Sequence, residues 1–262
     1  MRDLSFWINA VVALLSLSCG TVVDAQQKNP ATDSSKSIWL AYAGEHPISQ
    51  RWDFHLEGQV FCYGAAEKTE LILIRPGFRR EFSHGISVLI TYAYFLKYPA
   101  ITNASTTLSE HRISEDFQWK HPLLGEGAKR LTLTHRLRAE QRFQARDNGN
   151  GHTKGWQYAE RFRYRLTATI PLPGNTTGAK PDYVSIYNEV FVNFGPHAAR
   201  QALDQNIAAG AVGWNLTPKL QFEIGYLLEY IPSPAGVFGT YNHVVQINLF
   251  STFPFSNKKP AE

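Results

Sequence analysis

The chain has 262 residues, of which 44% are hydrophobic, 13% aromatic and 18% charged, with Lys+Arg 26 set against Asp+Glu 22. This length fits one large domain or two small ones, and the abundance of Trp, Tyr and Phe excludes a disordered, collagen-like or coiled-coil chain. A net charge of +4 with no clustered basic stripe argues against a nucleic-acid partner, and a mean hydropathy of -0.26 argues against a polytopic helical membrane protein.

Arg2 precedes an apolar stretch, Phe6 to Leu17, followed by small residues and by Val23-Asp24-Ala25 before Gln26. That is the order of a secretory signal peptide, with cleavage expected after Ala25. The apolar run is shorter than the ~20 residues of a spanning helix, which disfavours an N-terminal anchor. A lipoprotein variant would acylate Cys19 behind Ser18, but Ser16 stands where an aliphatic residue is expected. Cleavage removes residues 1–25 and leaves Cys62 as the sole thiol, expected to be inert packing with no intramolecular disulfide in the mature chain. Residues 26–37 lack periodicity and read as a flexible leader, 38–255 as a β-barrel domain and 256–262 as a polar tail.

From there the sequence alternates every second residue, the signature of half-buried strands. Arg51, Asp53, His55, Glu57 and Gln59 oppose Trp52, Phe54, Leu56 and Val60, and Glu110, Arg112, Ser114, Asp116 and Gln118 oppose Ile113, Phe117 and Trp119. Thr132, Thr134, Arg136, Arg138, Glu140 and Arg142 oppose Leu131, Leu133, Leu137 and Phe143; Arg161, Arg163, Arg165 and Thr167 oppose Tyr158, Phe162, Tyr164 and Leu166. Gln246 and Asn248 oppose Val245, Ile247 and Leu249. Ten strands are expected, near 50–62, 68–82, 85–98, 109–120, 130–145, 156–170, 182–194, 204–215, 218–231 and 243–253. Ser37 to Ala43 is a further candidate that would bring an even-numbered barrel to twelve.

Soluble sandwiches and barrels use strands of about 5–6 residues with a mixed polar exterior. These runs are about twice as long, and membrane-spanning strands need roughly 9–11 residues with an apolar outer side and a polar interior. Polar faces rich in Arg and Glu suit charges that pair inside a narrow lumen. The short connections at Phe82–His84 and Leu216–Lys219 fall at one end, the expected periplasmic side. The longer ones at 99–108, 146–155 and 231–242 fall at the other, with the long 171–181 segment the exception. The pattern therefore predicts an antiparallel transmembrane β-barrel with a polar, Arg/Glu-rich lumen in the bacterial outer membrane, meeting lipid and, during insertion, the barrel assembly machinery. A secreted soluble β-barrel that binds an apolar ligand is the alternative.

Several motifs carry a resemblance. Arg75-Pro76-Gly77, Glu110-His111-Arg112-Ile113, the His135-Arg136-Leu137-Arg138-Ala139-Glu140-Gln141-Arg142 run, Arg161-Phe162-Arg163-Tyr164-Arg165, Asn188-Glu189 with Phe191, Asp204-Gln205-Asn206 and Gly225-Tyr226 together resemble the bacterial family catalogued as domain of unknown function 2490. The resemblance covers about 37–253 and implies an outer-membrane barrel of Gram-negative bacteria with no established activity. Family members tend to carry Arg after Asp-Gln-Asn, where this chain has Ile207.

Period-2 geometry places Arg51, Asp53, Glu57, Arg75, Arg79, Glu110, Arg112, Arg136, Arg138, Glu140, Arg142, Arg161, Arg163, Arg165, Glu189, Glu223 and Glu229 in the lumen. Unpaired buried charges cost several kcal/mol each, so this set is expected to cross-link itself into a rigid plug. The sharper alternative is an Arg-lined passage or pocket for a small anionic ligand at Arg161, Arg163 and Arg165. An outer-membrane lipid or peptide hydrolase would need a rim nucleophile and base. Ser83-His84 and Ser109-Glu110-His111 invite that reading without a glycine elbow or oxyanion-hole signal, and His135 is expected on the outer side near Tyr158. The nine His show no metal-ligand spacing, and no catalytic residue, metal or cofactor is assigned.

Overall fold

The computed structural model describes residues 34–64, 66–99, 106–124, 131–149, 153–172, 180–195, 202–233 and 239–254. The stretch read as a signal peptide with Cys19, most of the stretch read as leader and the whole of the C-terminal tail lie outside them.

The described residues form eleven strands: β1 (Ser34–Pro47), β2 (Trp52–Tyr63), β3 (Lys68–Glu81), β4 (Ile86–Lys97), β5 (Leu108–Leu124), β6 (Leu131–Asp147), β7 (Thr153–Pro171), β8 (Tyr183–Phe194), β9 (Leu203–Thr217), β10 (Leu220–Pro232) and β11 (Gly239–Ser251). Each pairs antiparallel with its chain neighbour, and β1 closes the barrel by pairing parallel with β11, from Ser34 opposite Tyr241 to Gly44 opposite Ser251. The barrel is therefore mixed and eleven-stranded, where alternation and an evenness rule led to ten or twelve. The additional strand, β1, starts inside the stretch read as leader and runs past Ala43.

Strand direction puts the connections 82–85 and 218–219 at one rim, together with 172–182, and 98–107, 148–152 and 233–238 at the other. The β3–β4 turn is held by backbone geometry that few residues tolerate. His84 and Gly85 both adopt positive φ (63 and 72), and a Cβ on Gly85 would stand 2.0 Å from the Lys120 carbonyl oxygen on β5. Gly85→Ala is accordingly expected to cost about 1–3 kcal/mol from backbone strain alone, read as a lower urea midpoint with the same slope.

The two faces of the sheet have opposite chemistry. Outward side chains include Ile74, Phe78, Ile90, Ile113, Phe117, Leu137, Phe162, Leu166, Ile186, Ile224 and Val245, all exposed. Aromatic rings flank this aliphatic band: Trp52, Phe82, Trp119 and Trp214 toward the first rim, and Phe143, Trp156, Tyr230 and Tyr241 toward the second. Arg80 also points outward and lies over the Trp52 and Phe82 rings at 5.4 and 5.1 Å. Buried polar side chains, by contrast, are rich in Arg, Glu and Ser.

The lumen has an apolar part as well. Phe191, Ile207, Ala209, Leu227 and Val244 form a cluster with Trp39 and Tyr187 on the β8–β11 and β1 side, and Leu73, Ala93 and Phe95 form a second on β3 and β4. Cys62 is buried on β2, in register with Ile38 on β1 and Thr69 on β3.

Candidate functional site: a salt-bridged lumen

Five adjacent strands bring most of the luminal charge together, because four consecutive inward positions on β6 and three on β7 are ionic, as are Glu110, Arg112 and Asp116 on β5. Register then places carboxylates beside guanidiniums: Asp116 faces Arg138, Glu140 faces Arg161, and Arg165 faces Glu189. Glu189 on β8, fully buried, accepts from Arg136 at 2.7 Å, Arg163 at 2.8 Å and Arg165 at 2.5 Å. Glu140 on β6 accepts from Arg112 at 3.1 Å, Arg161 at 2.7 Å and Arg163 at 2.9 Å. Glu110 on β5 accepts from Arg112 at 2.6 Å and Arg142 at 2.8 Å, from Gln144 at 3.0 Å, and from Lys97 on β4. Asp204 on β9 takes Arg161 at 2.7 Å and Asn193 at 3.0 Å.

These contacts form one continuous network. Arg112 joins Glu110 to Glu140, Arg163 joins Glu140 to Glu189, and Arg161 joins Glu140 to Asp204. Lys97, Arg112, Arg136, Arg142, Arg161, Arg163 and Arg165 thus share the four carboxylates Glu110, Glu140, Glu189 and Asp204. The surplus positive charge is partly screened by aromatic faces. Arg112 lies 4.1 Å from the Phe95 ring centroid, Arg161 and Arg163 lie 4.8 and 4.2 Å from that of Phe191, and Arg165 lies 4.2 Å from that of Tyr187.

Three smaller ion-paired groups complete the charged wall. Arg138 forms a bidentate pair with Asp116, both bonds 2.6 Å. Arg75 donates to Glu57 at 2.5 Å, and Gln59 donates to the same carboxylate. Arg79 reaches Glu45 at 2.7 Å, Gln118 at 2.7 Å and Ser87 at 3.0 Å, while His55 shares Glu45 at 2.8 Å.

The sequence-derived set is thereby distributed as follows. Glu57, Arg75, Arg79, Glu110, Arg112, Arg136, Arg138, Glu140, Arg142, Arg161, Arg163, Arg165 and Glu189 all enter luminal ion pairs. Arg51 does not: it is exposed in the turn between β1 and β2, where the strand has ended and no inward face exists. Asp53 is half-buried beside the same rim, in register with Arg79. Glu223 and Glu229 do face inward, but no ion pair among the described residues reaches them. Glu223 accepts from Ser185 and Asn248 at 3.4 Å each, and Glu229 from Asn242 at 3.1 Å and from Gln205. The reason is topological: β10 lies on the apolar side of the lumen, among residues too short or too apolar to supply a cation.

Alternation alone did not single out Glu45, Lys97, Asp116 or Asp204 as partners. Asp116 stands on the inward face of β5 between named residues, and Asp204 opens the Asp-Gln-Asn motif, so both carried a readable signal. The parallel seam is fastened inside the lumen by Ser35 and Ser37, which donate to the Asn242 carbonyl at 2.9 and 3.1 Å.

The enzymatic pairs do not assemble. Ser83 and His84 are exposed in the β3–β4 turn, and Ser109 and His111 face outward with His111 Nδ1 2.6 Å from the Tyr92 hydroxyl. His135 is on the outer side, beside Tyr164 rather than Tyr158.

The match to a protein family spans residues 36–240, described as "Protein of unknown function (DUF2490)". The chain belongs to the DUF2490 family. The matched span takes in nearly all of the charged network, from β1 into β11. Ile207, the residue after Asp204-Gln205-Asn206, is 5% exposed within the apolar luminal cluster. No curated protein and no solved structure matches the chain.

Proposed function

We propose that this DUF2490 protein is an outer-membrane β-barrel of the Gram-negative envelope whose lumen is shut by its own ion pairs, a structural component rather than an enzyme. The carrying observation is the inverted polarity of the sheet: an exposed aliphatic band between two aromatic girdles, wrapped around a buried network of Arg and carboxylate side chains. In water this arrangement would expose the apolar face of every strand, whereas a bilayer supplies the solvent that face requires. The described residues contain no helix long and apolar enough to cross a membrane, so a crossing would be made by strands. The same polarity disfavours a soluble barrel that keeps an apolar ligand inside.

A luminal plug follows from the lateral wiring. Arg161 and Arg163, the residues an anion pathway would need, are committed to Glu140, Asp204 and Glu189. A second reading, a small-anion site on the same wall, is favoured by the cation surplus and by Arg136 and Arg165, whose side chains are 19% and 27% exposed. The test is fractionation followed by planar-bilayer recording. The expected result is retention in the outer-membrane fraction, a folded band that shifts on heating, and no unitary current. Recovery in the soluble fraction without detergent would overturn the membrane reading. Anion-selective currents that fall in Arg165→Gln would replace the plug with the second reading.

A further inference from the structure

We propose that His121 and His135, on the outer wall of the β5–β6 hairpin, form a two-imidazole site for a divalent transition-metal ion, Zn2+ or Cu2+. This site uses neither the luminal network nor the membrane reading. His121 faces Leu133 and His135 faces Trp119 in the antiparallel register, so the two rings are diagonal neighbours on one face. Their Nε2 atoms are 3.3 Å apart, with ring centroids 5.4 Å apart and ring planes within 11°. The two nitrogens therefore meet edge to edge, and their lone pairs repel unless a proton or a cation stands between them.

The separation suits a metal. Two nitrogens on one tetrahedral Zn2+, each about 2.0–2.1 Å from the ion, lie roughly 3.3 Å apart. The other nitrogen of each ring is also in place, since a ligating imidazole donates its remaining N–H to an oxygen that fixes its tautomer. His121 Nδ1 lies 3.3 Å from the Pro122 carbonyl oxygen, and His135 Nδ1 lies 2.9 Å from the Tyr164 hydroxyl. Trp119 stacks on His121 at 4.3 Å and on His135 at 5.4 Å, limiting the motion of both.

Without metal, the Tyr164 hydroxyl donates to His135 Nδ1, and His135 Nε2–H donates to His121 Nε2. On binding, the His135 proton moves to Nδ1 and is donated to the Tyr164 oxygen. Both rings stay neutral and both Nε2 lone pairs turn to the ion. The described residues add no third ligand of the His, Cys, Asp or Glu type. Both rings are half-buried at the rim, so water completes the coordination.

The test titrates the folded full-length protein in detergent with Zn2+ by calorimetry, and with Cu2+ by quenching of Trp fluorescence. One ion per chain is expected, with affinity falling at least about tenfold in His121→Gln and in His135→Gln, and about tenfold in Tyr164→Phe. Should a variant fail to fold, the parent protein is modified with diethylpyrocarbonate with and without Zn2+, and protection of His121 and His135 is expected. Unchanged affinity in the folded double variant, no saturable binding by the parent, or equal modification of both His with and without Zn2+ would overturn the proposal.

Discussion

Glu189→Gln is expected to destabilise the barrel by about 3–5 kcal/mol, the cost of breaking a buried ion pair from one side. The side chain keeps its shape and can still accept, but Arg136, Arg163 and Arg165 lose the negative charge on which they converge. Arg163→Met is milder in kind, since Glu189 and Glu140 each retain two other guanidiniums. For this reason the double change Arg163→Met with Glu189→Gln does not restore stability: Arg136 and Arg165 remain stranded. A simpler control is the bidentate Arg138–Asp116 pair, where removal of Asp116 alone leaves a buried guanidinium without its hydrogen-bonded carboxylate. Replacing both residues with apolar groups of similar volume is expected to be near neutral. Heat modifiability and urea midpoints of the single and double variants measure this coupling. Additive losses at Arg138 and Asp116 would mean that the pair contributes no mutual stabilisation.

Arg substitutions on the outer band should be the other large effect. Ile186 is 51% exposed and Phe162 is 39% exposed, both well inside their strands. In water, Ile186→Arg or Phe162→Arg would change little. In a bilayer each is expected to cost roughly 2–4 kcal/mol near the midplane, with less at the girdle residue Trp52. Folding yield into lipid vesicles and urea midpoints in those vesicles read the difference. Arg variants as stable as the parent would favour a soluble barrel.

Much of this architecture is legible in the sequence because the lumen is ionic. Where inward positions are Arg or Glu and outward positions are Phe, Ile or Leu, as on β5, β6 and β7, period-2 reading finds the strand and its faces. β1 shows only as the shorter candidate Ser37 to Ala43, for the converse reason. Its inward Trp39, Ala41 and Ala43 are as apolar or small as its outward Ile38, Leu40 and Tyr42, so alternation fades there. Pairings across the lumen are less accessible still. Glu223 and Glu229 have the same pattern signature as Glu140 and Glu189, and only the closed sheet reveals that Glu223 stands between Gly213 and Asn248 and Glu229 between Ile207 and Asn242. The His121–His135 contact depends on hairpin register, which the sequence between β5 and β6 leaves open.

Closure with an odd number of strands has a consequence for compartments. Each strand reverses the direction of the one before it, and β1 runs the same way as β11. The backbone therefore enters β1 at the rim that holds the β2–β3 connection and leaves β11 at the opposite rim. An even-stranded barrel returns both flanks to a single aqueous phase. Here, in a bilayer, a reporter or protease site placed ahead of Ser34 and one placed beyond Ser251 would face different sides, so biogenesis must carry one flank of the polypeptide through the lipid.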